Sequence, residues 1–570
     1  MSAKPSPEPS DTVADAYLQS LAAHGAQWLF LNAGTDFPPL VEAYGRAQQN
    51  GIPVPMPVLV PHENVAVGMA YGAAIVTNTP QVAMVHVGVG TANAVCGLVN
   101  AARQHVPVIL SAGRTPVLEE GRLGARNNYI NWAQEMFDQG GMVRELVKWD
   151  YELRDPAQVE AVVDRVYSIA ASSPPGPAYL VLPREVLSAP AQPPARPQRR
   201  VRPVSAPRAQ AADLRLLADW LLQANNPVIV TSDIGRSHAA FQELDALARD
   251  WAIPVVQYRP RYANIATDHP MFSGFNPVPL VTAADCVIVL ESDVPWIPDE
   301  CPVPPDCKVA HVGKDPLFAD YPMRSFASDL SMQCDASLFL ADLRAELASR
   351  TGVDNGQIKR RFEEVARNNR KLQERQPVPR GLNHRHVSRV LAGLFDSNTV
   401  LINEYPFALE ELVVNRPGCF YSHSPAGGLG WATGMALGVK LTSPDALVVA
   451  AVGDGSYMFG NPTPAHFVSR AMDLPVLTVV FNNRRWAAVH RSTLSMYPDG
   501  MAARSENPPL SSLEPSPDYE RLVEASGGLG IKVDHVDQLE SALEQAVHAV
   551  RQGRQAVVNI LTEVSYVRTS

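Results

Sequence analysis

The chain has 570 residues, enough for about three domains at roughly 100–200 residues each, which excludes a single small binding module. Hydrophobic residues make up 46% and charged ones 19%, and a net charge of −10 is thin over this length, so neither nucleic acid nor an anionic membrane is called for as a partner. Apolar runs such as Ala446 to Val452 fall far short of the ~18 residues a membrane span needs, and six cysteines without paired metal spacing read as reduced thiols of a cytoplasmic protein.

Residues 1–10 carry Lys4 but no apolar core segment, so they read as a disordered tail and not as a signal peptide. From 11 to 188, short β-branched runs at 27–31, 58–60, 81–87, 106–112 and 178–182 alternate with helical patterns, the signature of a parallel sheet with helical crossovers. Residues 189–209, dense in proline and arginine, predict a surface linker. A second domain follows at 210–350, with strands predicted at 227–231, 253–257, 286–291 and 308–312. A polar, charge-rich stretch at 351–380, helical in pattern over its first half, predicts a second linker. The last domain, 381–570, has strands predicted at 399–403, 446–452, 475–481 and 556–561. The fold class is α/β, with three doubly wound parallel-sheet domains, and ligands belong at the carboxyl ends of their strands.

The residues following those ends carry the chemistry. After the run ALVVAAV comes Gly453-Asp454-Gly455-Ser456, and the next strand ends in Asn482-Asn483. A carboxylate and a carboxamide thus leave neighbouring strands, with glycines that let the backbone approach a phosphate: oxygen ligands for Mg²⁺ beside a diphosphate. A GDG turn alone would read as an ordinary strand-to-helix connection; the helix, strand and asparagine pair that follow make it a site.

This pairing resembles the diphosphate motif of thiamine-diphosphate-dependent enzymes of the acetolactate synthase and benzoylformate decarboxylase type, and the likeness extends over nearly the whole chain. It implies a pyrimidine-binding domain, a central domain and a diphosphate-binding domain in the three segments above. It implies thiamine diphosphate and Mg²⁺ as cofactors, with Asp454, Asn483 and the backbone carbonyl of Arg485 as metal ligands. The spacing from Asp454 to Asn483 is longer than the family's usual one, and the segment GNPTPAHF holds the insertion. Glu63, in PHENVAVGMAYGAA, resembles the family's activating glutamate, which shares a proton with the far ring nitrogen of the aminopyrimidine. Gly428 and Leu429, in AGGLG, match the segment whose leucine wedges beneath the bent cofactor; Gly453, Gly455 and Ser456 complete the cofactor-binding set.

Within the family, His86 in MVHVGVGTAN and Thr35 in NAGT stand where benzoylformate decarboxylases place a pocket histidine and serine, so both are candidate catalytic residues beside Glu63. The second pocket histidine has no counterpart, Pro298 standing at about that position, and Arg484 and Arg485 replace small residues after the metal motif. Those guanidinium groups either bind an acidic substrate or are surface cations. Gln134-Glu135 is similar to a stretch of acetolactate synthases. The expected function is cleavage or formation of a carbon–carbon bond on a small 2-oxoacid, by decarboxylation, acyloin carboligation or both. The alternatives are a 2-hydroxyacyl-CoA lyase or other CoA-thioester lyase and a catalytically inactive subunit. A dinucleotide loop at Gly88-Val-Gly90 lacks its third glycine. FAD or another nucleotide in the central domain stays undecided. The resemblance also implies a homodimer or homotetramer whose active site lies at the subunit interface.

Overall fold

The computed structural model describes residues 11–192, 200–374, 377–505 and 508–563; the tail 1–10 lies outside them, as does part of the 189–209 linker. Among the described residues seventeen strands form three sheets, parallel throughout. The first holds β1 (Trp28–Leu31), β2 (Met56–Leu59), β3 (Gln81–Val85), β4 (Val108–Arg114), β5 (Asp150–Glu152) and β6 (Ala178–Pro183), in the order β2-β1-β3-β4-β6-β5. The second holds β7 (Pro227–Thr231), β8 (Val255–Gln257), β9 (Cys286–Leu290), β10 (Lys308–Gly313) and β11 (Leu330–Gln333), in the order β11-β10-β9-β7-β8. The third holds β12 (Thr399–Glu404), β13 (Phe420–Ser422), β14 (Leu447–Gly453), β15 (Leu477–Asn482), β16 (Leu529–Val533) and β17 (Ala556–Leu561), in the order β13-β12-β14-β15-β17-β16. Each order reverses near its middle, between β1 and β3, β7 and β9, and β12 and β14, and the first and third sheets turn back again at their β6-β5 and β17-β16 edges; the central crevices are where such sheets take ligands.

Four edge strands, β5, β11, β13 and β16, were not expected, and two expected elements take another form. The strand predicted at 81–87 stops at Val85, because His86 caps a helix, Val87–Arg103, that places Gly88 and Gly90 in its first turn. The stretch 351–380 is mostly not a linker: Asn355–Gln373 is a helix whose Ile358, Phe362 and Val365 pack on the central core. Arg361 of this helix donates to the carbonyls of Ala224, Trp251 and Ala252, closing that domain. Among the described residues no helix is long and apolar enough to cross a membrane.

The first and third domains share one hydrophobic core. It is centred on two buried helices, Glu63–Thr77 and Trp431–Thr442, and Tyr71 meets Trp431 edge-on with ring centroids 5.5 Å apart. The two helices approach to backbone contact. A Cβ on Gly68 would lie 3.1 Å from Gly434 Cα, and one on Gly438 would lie 2.1 Å from the carbonyl oxygen of Met69. Both helices begin at the carboxyl edges of their domains, so this packing fixes the residues at their first turns relative to one another.

Candidate active site

At the third sheet's reversal, the register sets Gly453 beside Phe481, so Asp454 and the Asn482-Asn483 pair leave the ends of adjacent strands. Asp454 opens a short helix, Asp454–Phe459, and is only 3% exposed. Its Oδ1 accepts from the Gly455 amide at 3.0 Å, while Oδ2 is buried without a hydrogen-bond partner. Burial pushes its acid up from 3.8 to about 6, against the opposing pull of the nearby Gly455, Arg484 and Arg485 amides. A buried carboxylate oxygen without a partner costs free energy unless something meets it, and a divalent cation does so.

Asn482 is committed to the fold. Its amide donates to Ser516 Oγ at 2.9 Å and Asn559 Oδ1 at 3.1 Å, and its oxygen accepts from the Arg484 amide at 3.1 Å. Asn483 is partly exposed and, among the described residues, accepts only from the Arg485 amide, at 3.1 Å, so of the two it can spare a lone pair for a metal. Arg484 bends the chain here with φ +60°, a left-handed turn carried without glycine, and its guanidinium lies 3.6 Å from Glu514. Trp486 lies over the GDG turn, its ring 2.2 Å from where a Cβ on Gly455 would be.

The AGGLG segment reaches the same edge. Gly428 is clamped by Asn100, whose amide donates to the Gly428 carbonyl at 2.9 Å and whose oxygen accepts its N–H at 3.1 Å. Gly430 has φ +80°, and a Cβ there would collide with the backbone of Phe459 and Gly460, so only glycine serves. Leu429 is held half-buried between them.

Glu404, at the end of β12, was not singled out by the sequence. It is 1% exposed, and its carboxylate accepts from the amides of Gly430 at 2.7 Å and Ala432 at 2.8 Å, capping the Trp431 helix; it also bonds the Ser456 side chain. Glu404 thereby ties the loop of Leu429 to the turn of Asp454. Burial pushes its acid from 4.5 up to about 7. Between these values the unfolded chain has released a proton that the folded chain retains, so this group's contribution falls as pH rises through 4.5 to 7, by about 3 kcal/mol. The thermal midpoint of the cofactor-free protein is therefore expected to fall from pH 5 to 7.5, and less so in Glu404→Gln; equal slopes in the two proteins would refute the assignment.

In the first domain Glu63 opens its helix, with His62 as the cap accepting from the Asn64 amide at 3.2 Å. Its Oε2 accepts from Asn93 Nδ2 at 3.2 Å, and Val65, Val67 and Met69 behind it are buried. His86 follows β3, and its Nδ1 lies 2.5 Å from Asp36 Oδ1. Thr35 is exposed on the turn after β1, its carbonyl accepting from the buried Arg184 at 3.1 Å. Gln134 places its amide nitrogen 3.3 Å from His86 Nε2. Its neighbour Glu135 pairs with Arg114 and Arg126, which pins the covering loop.

The central crevice is filled by the chain itself. Arg261, buried behind β7 and β9, pairs with Asp233 at 3.2 Å and with Asp293, which also accepts from Tyr321 at 2.8 Å. Two clefts beside this cluster have volumes of about 170 and 190 Å³.

Residues 405–560 match the family model described as "Thiamine pyrophosphate enzyme, C-terminal TPP binding domain", and residues 11–142 match its N-terminal TPP binding domain counterpart. The chain is 24% identical over 533 residues to the acetolactate synthase isozyme 3 large subunit of Escherichia coli, covering 89% of this chain and 88% of that protein. It is 25% identical over 597 residues to the sulfoacetaldehyde acetyltransferase of Alcaligenes xylosoxydans, covering 96% and 93%. The solved structure of a thiamine diphosphate-dependent 4-hydroxybenzoylformate decarboxylase from Rhodococcus jostii superimposes with TM-score 0.78 at 22% identity, covering 98% of this chain and all of that one. With both binding domains matched and the same three-sheet architecture, the chain belongs to the thiamine pyrophosphate enzymes, the decarboxylase and carboligase family that includes acetolactate synthase and benzoylformate decarboxylase.

Proposed function

We propose that this protein is a thiamine-diphosphate- and Mg²⁺-dependent lyase or carboligase acting on a small 2-oxoacid. The observation that carries the reading is the buried, partnerless Asp454 Oδ2 at the end of β14, beside Asn483 and the Arg485 backbone. Asp454, Asn483 and the Arg485 carbonyl hold the metal, and Gly453, Gly455 and Ser456 receive the diphosphate. Leu429 supports the cofactor from below. When bound, thiamine diphosphate supplies a nucleophilic carbon and an electron sink for the bond next to a carbonyl. Glu63 holds a proton on the aminopyrimidine, and His86 moves a proton at the reacting carbon, with Thr35 beside it.

No histidine occurs between Cys286 and Ala310, where the resemblance would put a second proton carrier; Pro298 is exposed there. Protonation is then slower and attack on an aldehyde acceptor is favoured. The site's two halves lie on different domains, each bordered by exposed apolar side chains such as Met56, Leu59 and Val89 on one and Met458 and Phe459 on the other, which suits pairing across a homodimer or homotetramer.

The test is product analysis with thiamine diphosphate, Mg²⁺ and a series of 2-oxoacids, with and without an aldehyde, alongside light scattering. Carbon dioxide release with acyloins from a dimer or larger species is expected. Neither decarboxylation nor ligation, cleavage of a 2-hydroxyacyl-CoA instead, or full activity in a monomer would each overturn the corresponding part.

A further inference from the structure

The chemistry at His86 depends on which ring nitrogen carries its hydrogen, and the surroundings decide this. Asp36 is 4% exposed and sits at the carboxyl end of β1, two residues ahead of the helix Pro38–Asn50. Its carboxylate can only accept, so the contact of 2.5 Å requires hydrogen on His86 Nδ1. On the other side the Gln134 side-chain amide lies 3.3 Å from Nε2, and with its nitrogen turned to the ring it donates and Nε2 accepts. The Asp36 contact selects the tautomer, and this orientation of the amide is compatible with it.

The backbone is shaped around this pair. A Cβ on Gly34 would lie 2.3 Å from the His86 ring, and one on Gly113 of β4 would lie 1.6 Å from Asp36 Oδ2. Glycine at both positions makes the space in which carboxylate and imidazole meet. Val87, immediately after the histidine, has φ +34°, a conformation that is an outlier for a β-branched residue. Such strain persists only where its surroundings over-determine it, and here the Val87 amide lies 3.4 Å from Asp36 Oδ2. The Gln134 oxygen is buried without a partner. The amide that covers Nε2 therefore sacrifices one of its own hydrogen bonds, which makes it a cover that an incoming group with a donor can displace at little cost.

We propose that Asp36 is the positioning residue that holds His86 as the Nδ1–H tautomer, leaving Nε2 as the proton acceptor beneath Gln134. The inference rests on the reading of His86 given under the proposed function, and goes beyond it by naming the group that sets its protonation geometry. A histidine whose second nitrogen is anchored by a carboxylate keeps both its orientation and its tautomer through a reaction, and the same carboxylate stabilises the imidazolium formed when Nε2 takes a proton.

The test is the nitrogen NMR spectrum of the full-length protein labelled in histidine, with His86 identified by its absence in His86→Gln. In wild type, Nδ1 should carry the hydrogen. Two variants break the contact by different routes: Asp36→Ala removes the carboxylate, and Gly113→Ala pushes it aside. In both, the ratio of tautomers at His86 is expected to change by about tenfold or more, the ratio a charge-assisted hydrogen bond sustains. Hydrogen on Nε2 in wild type, or an unchanged ratio in whichever of the two variants folds, overturns the proposal. Because the spectra need neither substrate nor cofactor, a protein that shows this tautomer but turns over no 2-oxoacid would sink the proposed function alone. An active protein whose His86 ignores Asp36 would sink this inference alone.

Discussion

Glu63→Gln is expected to leave the fold and cofactor affinity nearly unchanged while lowering turnover by about 10²–10⁴-fold, the range for a lost proton-transfer group. Stability should survive because a glutamine oxygen can still accept from Asn93 and the apolar packing of Val65, Val67 and Met69 lies behind the substituted group. What the amide cannot do is share a proton with the ring nitrogen of the aminopyrimidine. The measurement is exchange of the C2 proton of bound thiamine diphosphate, alongside turnover and a binding isotherm. Undiminished exchange would remove Glu63 from its role, and weakened binding with undiminished exchange at saturating cofactor would make it a structural residue.

Asp454→Asn has an effect of opposite sign on the loaded and the empty protein. In the empty protein the carboxylate is buried with one oxygen unmatched, so its replacement by a neutral amide is expected to leave the thermal midpoint unchanged or raise it slightly. With thiamine diphosphate and Mg²⁺ added, wild type should gain about 2.7 kcal/mol at a hundredfold excess over the dissociation constant, and the variant should gain almost none. A chelator should bring wild type back to the variant's behaviour. Equal stabilisation of both proteins by the two ligands, measured by calorimetry, would show that the metal does not sit on Asp454.

Much of the fold was legible because central parallel strands are buried on both faces and read as unbroken apolar runs, as in VVAAV of β14 and CVIVL of β9. The strands that escaped, β5, β11, β13 and β16, all lie at sheet edges. There one flank is unpaired and the sequence need not be apolar, as DYE of β5 and LSMQ of β11 illustrate. Of the site, the residues carried by a local motif could be named: Glu63, the GDGS turn with Asn483, and the AGGLG loop. Asp36 and Glu404 could not, since their meaning lies in partners distant in sequence: His86 is 50 residues from Asp36, and Gly430 is 26 from Glu404. The only signal for Glu404 was a carboxylate following the run TVLIN, one residue past where that strand was expected to end.

The glycine contacts between the helices Glu63–Thr77 and Trp431–Thr442 bear on how this protein can change. Gly68 meets Gly434 and Met69 meets Gly438, so the two helices run side by side in the same direction, from Glu63 at the start of one and Leu429 just before the other. Any side chain added along that seam shifts one cofactor-binding domain against the other and displaces the two half-sites that a single chain carries. Substrate preference can therefore drift through the loops at the carboxyl edges, Thr35, Gln134 or Trp486 among them, while the seam admits almost no substitution. The first and third domains, separated by the whole central domain in sequence, are bound to evolve as one body.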